Sequence, residues 1–218
     1  MRQWMANYSR TTPLSIQSTY GIAIHTSSPD LGLAIDDFAG DDRHRVWQLG
    51  RDLSTHLHPL LSDFLQPQSW ADLAFIAVAT GPGGFTGTRI GVVTARTLAQ
   101  QLQIPLFGVS SLAAIAHSAR EGTIAVQMPA QRGELYAAIY QNSSVGLTAL
   151  FADAVLTYEA WQQILATWNT PYQLINAEAE QGERVTTMLK LAHQQWKKGH
   201  RPDWSEVLPF YGQHPVQR

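Results

Sequence analysis

The sequence predicts an α/β fold in which mixed β-structure is flanked by helices and the chain divides into two lobes. Three observations predict it. Short apolar runs bounded by turn formers alternate with amphipathic stretches over most of the length. The first three runs are joined by turns too short for a crossover, so they form an antiparallel meander. The next two are each reached through a helical stretch, which adds them to the sheet by right-handed crossovers.

Taken in order, "YGIAIHTS" from Tyr20 to Ser27 reads as a buried strand, "LGLAIDDF" from Leu31 to Phe38 as a second and "RHRVWQL" from Arg43 to Leu49 as a third. A helix follows over about Arg51 to Leu65, with Leu53, Leu57, Leu60, Leu61 and Phe64 at helical spacing. Pro59 lies inside it and predicts a kink. "LAFIAVAT" from Leu73 to Thr80 is apolar on both faces, as a central parallel strand requires. A glycine turn and a long helix come next. Then "IPLFGV" reads as a strand, and "SSLAAIAHSAR" as a helix that Ser110 can cap. The pattern repeats less cleanly afterwards. "GTIAVQMPA", "RGELYAAIYQ" and "LTALFADAVLT" read as strands, "YEAWQQILATW" as a helix, "YQLINA" as a strand and "ERVTTMLKLAHQQWKKG" as a helix. The predicted organisation is a poorly ordered extension over 1–19, a first lobe over 20–120 and a smaller second lobe over 121–218.

Composition narrows the function classes. The 218 residues, 44% of them apolar, are enough for a real core. A formal net charge of −2 leaves no global field toward nucleic acid or membrane, although a local basic patch stays open. The absence of cysteine removes disulfides, thiolate zinc sites and a cysteine nucleophile. The first residues lack a signal-peptide core, and no run approaches the ~20 apolar residues of a membrane span. These features predict a soluble, cytoplasmic protein.

The stretch "GPGGFTGTRIG" offers two readings. Free amides at a helix N-terminus attract anions. Glycine is also the ordinary means of making a strand-to-helix turn. The motif is not a P-loop, because Thr88 and Arg89 follow Gly87 and the chain has no lysine before Lys190. Nor is it a dinucleotide fingerprint, because the last glycine interval is wrong. Beyond it, Gly87, Gly91, Ala95 and Ala99 form a stripe of small residues at four-residue spacing, with Arg89, Arg96 and Gln100 on the far side. The stripe packs closely either on the chain's own sheet or on a partner helix. H-E-x-x-H and G-x-S-x-G are absent, so a metallopeptidase or serine hydrolase has no motif. Arg132 and Glu134 read as a turn ion pair or, for Glu134, a catalytic acid.

"GPGGFTGTRIGVVTARTLAQQLQIPLFGVSSLAAIA", from Gly81 to Ala116, closely resembles the signature of the TsaB (YeaZ) family, usually G-P-G-S-F-T-G-[LT]-R-[IV]-G. "GIAIHTSS", "RDLSTHLHPLLSDFL" and "RGELYAAIY" are similar to its first strand, first helix and second-lobe strand, and "LPFYG" resembles its closing P-x-Y-L-R. The chain departs from the pattern in three places. His25 stands for the strand-end aspartate, Pro129 for the aspartate before the Arg-Gly-Glu turn, and Gly212-Gln213 for Leu-Arg. A neutral or cationic imidazole cannot replace a hard oxygen ligand of magnesium.

The resemblance implies an actin-like, sugar-kinase-like (ribonuclease-H-like) fold of two related lobes. It implies a non-catalytic scaffold in forming threonylcarbamoyladenosine (t6A) in tRNA, paired with TsaD and joined by the ATPase TsaE. Contact with tRNA would then run through the complex, and isolated chains would form homodimers. No cofactor, metal or catalytic residue is expected. The signature loop is Gly81, Pro82, Gly83, Gly84, Phe85, Thr86, Gly87 and Arg89. The expected partner surface joins Leu53, Leu57 and Leu60 of the first helix to Gly87, Gly91, Ala95 and Ala99 of the second. The competing readings are an ATP-binding phosphotransferase or ATPase, which needs a metal-binding carboxylate near His25, and a glycoprotease-like peptidase, which needs a metal motif.

Overall fold

The computed structural model describes residues 19–178, 181–210 and 212. The expected N-terminal extension, apart from Thr19, and Tyr211 and Gln213 of the closing motif lie outside the described residues.

Two separate mixed sheets organise the chain. The first holds β1 (Tyr20–His25), β2 (Asp30–Asp36), β3 (Asp42–Gln48), β4 (Leu73–Gly81) and β5 (Leu106–Ser110), in the order β3-β2-β1-β4-β5. β1 to β3 pair antiparallel, while β4 runs parallel to β1 and β5 parallel to β4. The second holds β6 (Gly122–Pro129), β7 (Glu134–Ser143), β8 (Gly146–Thr157) and β9 (Tyr172–Asn176), in the order β8-β7-β6-β9. β6 to β8 form the meander, and β9 runs parallel to β6. The second sheet thus repeats the first four strands of the first, and among the described residues no strand corresponds to β5. These are the mixed sheets flanked by helices that the sequence predicts.

Strand alternation gives the first sheet two unlike faces. Ile22, Ile24, Ile76 and Val78 point toward α1 (Leu53–Leu65) and α2 (Phe85–Leu102). Ala23, Ala34, Ala77 and Ala79 point the other way, toward α5 (Val185–Lys197). The small residues on that face let α5 lie close, and at Gly32 a side chain would overlap the Gly182 carbonyl. α5 comes late in the chain yet covers the first sheet, whereas α3 (Ser111–His117) packs on strands of both sheets. α4 (Tyr158–Ala166) covers the second sheet with Trp161 and Leu165.

Pro59 does not break α1. It sits on the exposed face, and the Thr55 carbonyl that it leaves without an amide partner is on an exposed residue too, where water can serve it. β5 starts two residues later than the sequence pattern suggests. Gln103 takes a left-handed conformation (φ 55°) after α2, and the Ile104 amide bonds back to Ala99 O at 3.2 Å, so the strand cannot begin before Pro105. Ser110 does cap α3, accepting from the amides of Leu112 and Ala113 at 3.1 and 3.2 Å. No described helix is long and apolar enough to cross a membrane.

Candidate functional site

The site forms where the parallel strands end. β1 stops at His25, and the chain continues through Thr26 and Ser27 beneath the glycine turn. The Gly84 amide donates to Ser27 O at 2.7 Å, and the Thr26 hydroxyl donates to Gly87 O at 2.8 Å. A Cβ at Gly83 would overlap the Ser27 carbonyl, and one at Gly87 the Thr26 carbonyl. These glycines are therefore required by close approach of backbone to backbone. The Thr88 hydroxyl completes the first turn by donating to Gly84 O at 2.9 Å. Phe85, Thr86 and Arg89 are exposed, with the Arg89 guanidinium 4.9 Å from the Phe85 ring centre. The loop is thus tied to the chain's own first strand through Gly83, Gly84 and Gly87.

A cleft of about 940 Å³ opens between this junction and the second sheet. His25, Ser27, Gly83, Ser111, Met128 and Tyr136 line it, with Arg51 and Glu178 as exposed charged members. His25 is 1% exposed, and neither ring nitrogen has a hydrogen-bond partner. Burial lowers its pKa from 6.5 to about 4, so the ring is neutral at neutral pH. The hydroxyls of Ser27 and Ser111 are likewise buried without a partner. Pro129, also on the wall, brings no carboxylate. Among the described residues, no three His, Asp or Glu side chains gather to hold a metal ion. The end of β1 therefore presents neutral donors and acceptors, with an imidazole and hydroxyls but no carboxylate. Glu134 begins β7, half-buried, near Tyr136; burial and the Glu134 charge raise the Tyr136 pKa. Arg132 is exposed, with φ 59°.

The expected partner surface needs correction. Leu53 is 5% exposed, Leu57, Ala95 and Ala99 are 0% exposed, and Gly91 is buried. Leu60 and Gly87 are half-buried. A Cβ at Gly91 would overlap the Thr26 side chain. The small-residue stripe packs α2 on the first sheet of the same chain, chiefly on β4, and on Thr26 just beyond β1, so its buried members face the chain's own core. The outer side of the same two helices carries a different surface. A groove of about 580 Å³ runs between them, lined by Ser54, His58, Arg89, Val93, Thr97 and Leu98 among others. Val93 is 55% exposed and Phe85 39%. His58 Nε2 lies 3.3 Å from Thr94 Oγ1, bridging the helices.

One cluster had no signal in the sequence. Ser110 Oγ and Tyr140 OH both donate to the carboxylate of Asp153. The three residues come from β5, β7 and β8, so the cluster joins the two sheets. Burial raises the Asp153 pKa, and the two hydrogen bonds oppose that rise. Only the capping role of Ser110 is readable from its sequence neighbourhood.

Comparison with known proteins places this geometry. A family profile described as "TsaD: tRNA N6-adenosine threonylcarbamoyltransferase" matches residues 49–205. The tRNA threonylcarbamoyladenosine biosynthesis protein TsaB of Bacillus subtilis is 35% identical over 157 residues, 69% of this chain and 67% of that protein. The chain belongs to the TsaB (YeaZ) family. The Escherichia coli TsaB is 32% identical over 131 residues, 55% of this chain and 57% of that protein. YeaZ from Pseudomonas aeruginosa has the same fold, with a TM-score of 0.72 at 23% identity, covering 88% of this chain and 100% of that one. A TsaD profile matching a chain whose relatives are TsaB proteins marks the two families as paralogous. TsaB proteins are named for t6A biosynthesis, and that is the process to which this family membership connects the chain.

Proposed function

We propose that this chain is a non-catalytic partner subunit in the cytoplasmic formation of t6A in tRNA, pairing with a TsaD-type transferase that performs the chemistry. The observation that carries this reading is His25. At the strand end where an actin-like nucleotide enzyme needs a metal-binding carboxylate, this chain has a buried, neutral imidazole with no hydrogen-bond partner. The pairing surface in this proposal is the outer groove between α1 and α2, centred on Val93, Thr97 and His58. Exposed apolar groups beside a groove favour burial against a partner helix pair. Without the paralogue, the same surface supports a two-fold homodimer. TsaE joins the pair in this scheme, and the chain itself needs no cofactor.

Calorimetry tests the proposal. Titration with the cognate TsaD should give a stable complex. Titration with Mg-ATP should give no binding tighter than the high micromolar range, about −6 kcal/mol. Low-micromolar ATP binding together with no TsaD complex would overturn the reading.

A further inference from the structure

One segment of this chain is locally rich in positive charge and holds all three of its lysines. Residues 184–201 contain five Lys and Arg and no Asp or Glu, whereas the whole chain has 15 Lys and Arg against 17 Asp and Glu. The segment spans α5 and the turn after it. The helix buries Val185, Met188, Leu189 and Ala192 against the first sheet. Lys190, Lys197, Lys198 and Arg201 are exposed, and no described carboxylate lies within ion-pair distance of any of them. Two of the four are held in place. Lys198 Nζ donates to Val145 O at 3.3 Å, reaching the β7–β8 turn. The Arg201 guanidinium lies 4.6 Å from the Trp196 ring centre and donates to Trp196 O and His200 O, each at 2.7 Å. The helix dipole accounts for cations in the last turn but not for Lys190, two turns earlier on the side of Lys197.

We infer that this face binds the phosphate backbone of an RNA; that the RNA is the tRNA substrate rests on the function proposed above. Several unpaired cations on a rigid element match the regular phosphates of a polynucleotide, and each contact releases counterions. An anionic membrane fits less well. The large apolar side chains of α5 are turned into the sheet, so no apolar row remains to enter a bilayer. The location suits a complex too. α5 covers the face of the first sheet opposite α1 and α2, so RNA and the paralogue can be bound at once.

The test is fluorescence anisotropy of the full chain alone with unmodified tRNA over a salt series, comparing wild type with the triple variant Lys190→Glu, Lys197→Glu, Lys198→Glu. The expected result is at least a tenfold loss of affinity. The slope of log K against log salt should fall by about two to three, near one per lost phosphate contact. Single Lys→Gln changes, which preserve the helix, should each lower the slope by about one. Wild-type affinity and slope in these variants would overturn the inference, as would binding of phosphatidylserine vesicles in preference to tRNA. Pairing with TsaD, measured separately, should be unchanged. Loss of pairing in the wild type would count against the proposed function and leave the RNA measurement readable.

Discussion

The Thr26 hydroxyl donates to the Gly87 carbonyl at 2.8 Å and so fastens the end of β1 to the first turn of α2. The close approach leaves no room for a side chain at Gly87 or Gly91. Gly91→Leu should therefore drive a side chain into Thr26, at a cost of about 1–3 kcal/mol. Ala95→Arg adds a buried unpaired charge and should cost about 3 kcal/mol or more. Urea denaturation of the isolated chain measures both. Wild-type midpoints would mean that the stripe is not core.

The outer face of the same helix should behave in the opposite way. Val93→Arg changes an exposed position, so the melting temperature should stay within a degree or two of wild type. Affinity for TsaD should fall at least tenfold, about 1.4 kcal/mol. Calorimetric titration of the folded variant gives the answer, and unchanged affinity would remove Val93 from the proposed interface.

His25 predicts a pH dependence. Its native pKa is depressed from 6.5 to about 4 by burial, so between these values the unfolded chain takes up a proton that the native state refuses. Stability should be level above pH 6.5 and fall as pH drops through that window, by up to about 3 kcal/mol. His25→Leu, which cannot titrate, should flatten that part of the profile. A wild-type slope retained in the variant would show that the loss arises elsewhere.

Asp153 should act with the opposite sign. Its native pKa is raised, chiefly by burial, so the contribution it makes when protonated is lost as pH rises above the ordinary carboxylate range. Comparison with Asp153→Asn at each pH isolates this group, because the titration of His25 cancels in the difference. Wild type should lose stability relative to the variant as pH rises from 4 toward neutrality. A constant difference would contradict the assignment.

Much of the fold was legible because the strands are short, apolar and punctuated. Among the described residues, the nine strands and five α-helices lie where periodicity and turn formers place them, within a few residues. What the sequence left open was the identity of neighbours. The spacing of Gly87, Gly91, Ala95 and Ala99 announces close packing, but the group they pack on includes Thr26, more than sixty residues earlier in the chain. The amphipathic pattern of α5 is likewise silent about which sheet it covers, and the alanine face of the first sheet decides that. His25 stood out as a departure from a family pattern. That neither ring nitrogen has a partner depends on burial from several elements, which no local pattern encodes. The Ser110–Asp153–Tyr140 cluster joins residues up to 43 positions apart and needs both sheets in place.

In the proposed function, the chain supports t6A formation by pairing through the outer α1–α2 groove rather than by chemistry of its own. The most direct measurement is t6A formation on unmodified tRNA by purified TsaD and TsaE supplied with the threonylcarbamoyl donor. It is made without this chain, with wild type and with Val93→Arg. Background product is expected without the chain, full product with wild type and near-background product with the variant. Full product in the absence of the chain, or with a Val93→Arg variant shown not to pair, would contradict the proposed function.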